Sequence, residues 1–153
     1  MADSFTQLHI QFVFAVKYRN GLINASWKER LHQYISAIVQ NEKHKMLQIN
    51  SMPDHIHLLV GLRPYQSISS LIQKVKTGSN DWINKTNLLS SKFAWQEGYG
   101  AFSYSRSHVE NVINYIRNQE QHHKKTTFLD EYKSMLEASE IDYNLNHIFV
   151  EPE

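Results

Sequence analysis

Apolar and polar residues alternate loosely over residues 6–16, a stretch rich in Phe, Val and Ile, which predicts a first strand. Ser26 and Glu29 have capping-box spacing, and Trp27, Leu31, Tyr34, Ile35 and Ile38 follow at helical intervals, so a helix is expected from Ser26. Residues 46–51 form a short second strand. The run Met52-Pro53-Asp54-His55-Ile56-His57-Leu58-Leu59-Val60-Gly61 reads as a third, entered through a proline and left at a glycine. The brief Met52-Pro53-Asp54 connection predicts an antiparallel hairpin between these two. A second amphipathic helix is expected over residues 67–84, through Ile68, Leu71, Ile72, Val75 and Trp82. Residues 85–100 are loop-like, and residues 101–105 give a fourth strand. Ser107 and Glu110 predict a second capping box opening a helix from His108 to about His123. A further helix spans residues 128–138, ahead of an irregular tail to Glu153. The order β-α-β-β-α-β-α is that of an α+β, ferredoxin-like split βαβ plan, an antiparallel sheet with helices on one face.

No internal repeat or linker divides the chain, and 153 residues suffice for one domain with a real core, so a single domain is expected over 1–153. Its core runs from about 5 to 125, with a C-terminal helix and tail over 126–153. Apolar residues at 41% and aromatics at 12% exclude a disordered or fibrous chain. The formal charge of +1 announces no global attraction to polyanions, so any nucleic-acid surface must be local. With no cysteine, disulfides, thiolate zinc sites and cysteine nucleophiles are excluded. Residues 1–11 lack a basic segment followed by an apolar stretch, and no run approaches a membrane span, so a cytoplasmic protein without a membrane partner is expected.

The candidate chemistry starts at the third strand. Side chains alternate across a strand, so His55 and His57 project together while Ile56, Leu58 and Val60 face the other way. Imidazoles about 6–7 Å apart along a strand are able to share a metal ion if other ligands converge. The pair alone is equally explained by outward polar positions on a half-exposed strand. On the helix from His108, Val109, Val112, Ile113 and Ile116 form an apolar stripe. Tyr115 and Gln119 flank it, about 40° apart around the axis and one turn apart along it. Taken by themselves they read as a boundary aromatic and a solvent-facing helix former.

Together the segments Asp54-His55-Ile56-His57-Leu58-Leu59-Val60 and Tyr115-Ile116-Arg117-Asn118-Gln119 resemble the single-tyrosine HUH transposases of small bacterial insertion sequences. The stretch Phe93-Ala94-Trp95-Gln96-Glu97-Gly98-Tyr99-Gly100-Ala101-Phe102-Ser103 is similar to the same family and to its REP-associated tyrosine transposase relatives. The likeness extends from about Phe5 to Tyr132. It implies one HUH domain whose C-terminal part carries a tyrosine-bearing helix. It implies that His55, His57 and Gln119 are metal ligands and that Tyr115 is the nucleophile. Two imidazoles and an amide oxygen suit Mg²⁺ or Mn²⁺ better than a closed zinc site. Tyr115 would attack phosphorus to give a 5′-phosphotyrosine link and a free 3′-hydroxyl, a step reversible without ATP. The activating base is not identified; His122, seven residues on, is a candidate, although a solvated histidine is the plainer reading.

The implied substrate is single-stranded DNA beside imperfect hairpins at the element ends. Local composition is compatible with it. Arg63, Lys74, Lys76, Lys85 and Lys92 are interleaved with Trp82, Phe93 and Trp95, cations for phosphates and aromatic faces for unstacked bases. Solvated lysines and core tryptophans account for the same pattern. The resemblance further implies a homodimer, with an active site that in some relatives is shared between subunits; residues 124–127 are a candidate hinge for such an exchange. Three other readings remain. A host-adopted REP-associated endonuclease would use the same chemistry. A non-catalytic nucleic-acid-binding module would need aromatics on the central strands, where histidines stand instead. A metal-dependent hydrolase of small molecules would leave Tyr115 without a role.

Overall fold

The computed structural model describes residues 3–144. Four strands, β1 (His9–Ala15), β2 (Lys45–Met52), β3 (His55–Gly61) and β4 (Gly100–Tyr104), form one antiparallel sheet in the order β2-β3-β1-β4. The strand order is that of the ferredoxin-like plan expected from the element order, but helices cover both faces of the sheet rather than the one expected. β3 is interior to the sheet and its residues from His55 to Val60 are all buried, so neither face of it is half-exposed. A strand buried on both sides needs a layer against each face.

On the first face lie α1 (Lys28–Asn41) and α2 (Ile68–Lys85). Leu31, Ile35 and Val39 of α1 recur every four residues and meet Leu71, Ile72, Val75 and Ile83 of α2 over Phe12, Phe14, Ile56, Leu58 and Val60 of the sheet. The Ser67 hydroxyl caps α2 by accepting from the Ser70 amide, at the start predicted for this helix. The loop after α2 turns inward: Phe93 and Trp95 are core residues, and Trp95 Nε1 donates to Ser79 Oγ at 2.9 Å. They are therefore packing residues, whereas the partly buried Trp82 stacks on Tyr34 at the outer side of the helix pair.

The second face carries α3 (Val109–Arg117), the single turn α4 (Gln119–His122) and α5 (Phe128–Ala138). Val109, Val112 and Ile116 cover Leu59, while Phe128 and Leu136 cover Val13, Ala15 and Phe102. Two local expectations fail here. The helix expected from His108 to about His123 is broken at Asn118, because Asn50 Nδ2 on β2 donates to the carbonyls of Ile116 (2.8 Å) and Arg117 (3.3 Å). Those acceptors are thereby withdrawn from the i→i−4 ladder. Neither capping box forms: the Ser26 amide itself donates to Asn24 Oδ1, and the Ser107 hydroxyl lies against Ser105 and His108 rather than a helix amide. α5 has its predicted bounds and is capped by Thr127 Oγ1, which accepts from the Asp130 amide. The part of the irregular tail beyond residue 144 lies outside the described residues.

Candidate active site

β3 delivers His55 and His57 to the second face, where their rings lie 5.3 Å apart between centroids, both buried. Each ring is held from behind. His55 Nδ1 lies 2.7 Å from Asp54 Oδ1, and the ring stacks on Phe128 of α5 at 3.8 Å and 2° from parallel. His57 Nδ1 lies 3.0 Å from Gln11 Nε2, and Gln11 in turn accepts at Oε1 from the Tyr104 hydroxyl at 3.0 Å. Partners on Nδ1 fix the rings and aim both Nε2 atoms at the same point. The Asp54 contact is the usual outer support of a metal-ligating imidazole, whereas Gln11 Nε2 donates to His57 Nδ1 and so leaves the His57 proton on Nε2, toward Glu131.

α3 and α4 bring Tyr115 and Gln119 to that point. The Tyr115 ring centroid is 5.9 Å from that of His57. Gln119 is fully buried, with Oε1 3.3 Å from His55 Nε2. The fifth member, Glu131 of α5, was not anticipated. Its Oε1 stands 3.2 Å from His57 Nε2 and 3.5 Å from His55 Nε2, and its Oε2 accepts from the Tyr115 hydroxyl and from Gln119 Nε2 at 3.0 Å. His123 Nε2 donates to Glu131 Oε1 (3.2 Å) and Gln119 Oε1 (3.0 Å), while its Nδ1 donates to the Thr126 carbonyl at 2.8 Å. His122 Nε2 is 3.5 Å from the Tyr115 hydroxyl and 3.4 Å from Glu131 Oε2.

The electrostatics centre on Glu131. Burial alone would raise its pKa, but hydrogen bonds from His123 and His57, with the His57 charge and the Tyr115 hydroxyl, hold it well below the usual carboxylate range. Burial lowers the pKa of His57 despite the carboxylate beside it. It raises that of Tyr115, and Glu131 raises it further. For His123 burial opposes protonation, yet the Glu131 bond and charge and the Thr126 carbonyl prevail and raise its pKa. A cavity of about 960 Å³ opens onto this cluster between β4, α3 and α5, lined among others by Phe102, Tyr104, Asn111, Tyr115 and Glu131.

The donor set fits a divalent cation. With the His55 proton on Nδ1 toward Asp54, the Nε2 lone pair faces the oxygens of Gln119 and Glu131, acceptor against acceptor unless a proton or cation lies between them. Nitrogen and oxygen atoms of His55, His57 and Glu131 lie within 4.8 Å of one another. Imidazoles with amide and carboxylate oxygens are ligands a divalent metal ion accepts.

The expected DNA-contacting cations are placed elsewhere. Lys74, Lys76 and Lys85 are on α2, across the sheet from the histidines, and Arg63 follows β3 at its far end. Lys74 pairs with Glu42 at 2.7 Å. Lys76 donates to the carbonyls of Gln96 and Gly98 over the Phe14 ring, and burial pushes its ammonium down to about 8. Arg63 and Lys85 are exposed.

The fold is α+β, and its site sets a buried histidine pair against a tyrosine. The chain belongs to the IS200-like transposase family, whose model matches residues 4–119. Among curated proteins it is similar to the ISDra2 transposase TnpA of Deinococcus radiodurans, 27% identical over 118 residues that span 74% of this chain and 84% of the relative. Among solved structures it resembles a candidate transposase of Deinococcus radiodurans R1, with TM-score 0.64 and 21% identity over 78% of this chain and 95% of that one. It also resembles a REP-associated tyrosine transposase bound to a REP hairpin, with TM-score 0.58 and 15% identity over 80% of this chain and 74% of that one. No helix among the described residues is long and apolar enough to cross a membrane.

Glu131 did leave a trace in the sequence. Phe128, Tyr132, Met135 and Leu136 make the apolar face of α5, and Glu131, three residues after Phe128, sits within that stripe. A carboxylate at a core position of an amphipathic helix is expensive to bury without partners, so it flags a buried polar site.

Proposed function

We propose that the chain is a single-tyrosine HUH transposase that cuts and rejoins single-stranded DNA in the cytoplasm. One observation carries this reading: in an IS200-like chain, the Tyr115 hydroxyl, the Nε2 atoms of His55 and His57 and the Gln119 amide oxygen converge on one buried point beside an open cavity. His55, His57 and Gln119 would hold Mg²⁺ or Mn²⁺. When bound, the cation supplies polarisation of the scissile phosphate and charge stabilisation as the bond breaks.

The chain's own residues do the rest. Tyr115 Oη attacks phosphorus, the P–O3′ bond breaks with its electron pair on the 3′-oxygen, which takes a proton from solvent and leaves as a hydroxyl, and the 5′ phosphate stays on Tyr115. Glu131 Oε2 accepts the hydrogen bond of the Tyr115 hydroxyl and fixes its direction, and His122 Nε2, 3.5 Å from that hydroxyl, is the proposed acceptor of its proton. Asp54 and Gln11 keep the two imidazoles oriented. Hairpin-bearing strands at the element ends are the proposed substrate, in keeping with the REP hairpin bound by a neighbour of this fold. Arg63, Lys74, Lys85 and, through the loop it ties down, Lys76 are proposed to steady the flanking strand. A homodimer is proposed.

The test is incubation of wild type and Tyr115→Phe with oligonucleotides from the flanking genomic ends, in Mg²⁺ or Mn²⁺. A metal-dependent protein–DNA adduct on denaturing gels, lost in Tyr115→Phe, is expected; full cleavage by Tyr115→Phe would sink the mechanism.

A further inference from the structure

We infer that Glu131 is itself a ligand of the cation and that it couples the cation to the nucleophile, Oε1 binding the ion and Oε2 holding the Tyr115 hydroxyl. This inference rests on the proposed metal site and adds to it a carboxylate from an element outside the family match, which ends at residue 119.

Burying the Glu131 carboxylate is costly. Glu131 is only 2% exposed on a helix face otherwise made of Phe128, Tyr132, Met135 and Leu136. A buried carboxylate persists only where neighbouring groups replace its hydration. Its two oxygens find different neighbours. Oε1 stands against the Nε2 atoms of His57, His55 and His123, at 3.2, 3.5 and 3.2 Å, whereas Oε2 takes the Tyr115 hydroxyl and the Gln119 amide. The Oε1 side is where the Nε2 lone pair of His55 meets oxygens, and a divalent ion there would turn repulsion into ligation. His55, His57 and Gln119 are all neutral as ligands; Glu131 supplies the negative charge that a hard divalent ion prefers.

The carboxylate also ties together distant parts of the chain. His57 and Glu131 are 74 residues apart, and α5 meets the site through Glu131 and the Phe128 ring stacked on His55. Ligation would therefore fasten α5 against β3 while Oε2 fixes where the phenol oxygen points. Glu131 thus binds the ion with one oxygen and positions Tyr115 with the other.

The experiment measures Mn²⁺ binding by calorimetry and by the electron paramagnetic resonance signal of free Mn²⁺, on full-length wild type, Glu131→Gln and His55→Ala without DNA. Glu131→Gln should weaken binding about tenfold or more while remaining folded, and His55→Ala should weaken it at least as far. Unchanged affinity in folded Glu131→Gln beside a clear loss in His55→Ala would overturn the inference and leave the histidine site standing. Unchanged affinity in both would overturn the metal site and this inference with it. Hydrogen exchange on the wild type needs no variant: Mn²⁺ should slow exchange across α5, and an α5 indifferent to saturating Mn²⁺ would overturn the coupling.

Discussion

Histidines in this chain are worth different things according to what stands behind each ring. His32 is buried against Ser51 Oγ at 2.7 Å, and burial, helped by the Lys28 charge, pushes its pKa down to about 4. Its neutral form is the one the fold accepts, so its contribution to stability is complete above pH 6.5 and is lost as pH falls from 6.5 through 4. Linkage over that window is worth roughly 3 kcal/mol. Urea midpoints at pH 7 and pH 4.5 should show this slope, and His32→Gln should flatten it; an unchanged slope in His32→Gln would contradict the assignment. His55 and His57 are different, since their Nδ1 atoms are anchored and their Nε2 atoms point at shared oxygens. At this scale strand alternation puts His55 and His57 on one side, whereas Tyr115 and Gln119 stand out in the sequence only through the family resemblance. Their spacing alone reads as a boundary aromatic and a solvent-facing position, and it is the break at Asn118 that turns Gln119 inward. Glu131 escaped, because its partners come from the docking of a distant helix and no local period encodes that. Its position inside an apolar stripe was the available signal.

At the scale of elements, the breaks matter as much as the runs. All four strands and the helices α1, α2 and α5 follow the hydrophobic pattern to within a few residues. The end of α3 does not, because Asn50 on a neighbouring strand intercepts its last carbonyls. The break lies between Tyr115 and Gln119, so it sets how the hydroxyl and the amide face one site. Asn50→Ala should cost about 1–2 kcal/mol through the lost bonds. It should also lower DNA cleavage more than its stability loss explains; equal cleavage per folded molecule would show that the break does not position Tyr115. The capping boxes misled for a related reason: Asn24 and Ser105 lie close by and offer competing partners to the same turns.

For the whole molecule, the sheet separates two layers with different duties. α1 and α2 build the larger core, while α3, α4 and α5 enclose the histidine cluster on the other side. The cations Arg63, Lys74 and Lys85 therefore stand away from the chemistry and are proposed to serve strand binding alone. Replacing all three with alanine should weaken single-strand binding about uniformly across sequences. It should also flatten the salt dependence by about 0.7 per lost phosphate contact, with Mn²⁺ affinity unaltered. Fluorescence anisotropy across a salt series checks this, and an unchanged slope would remove these residues from the interface. The proposed mechanism turns on a covalent bond between Tyr115 and DNA. The most direct measurement is peptide mapping by mass spectrometry of wild-type protein after reaction with a flanking single strand and Mn²⁺. A phosphodiester-linked nucleotide on the peptide containing Tyr115 is the predicted result. An adduct on another residue, or cut strands ending in free 5′ phosphates with no adduct at all, would contradict it.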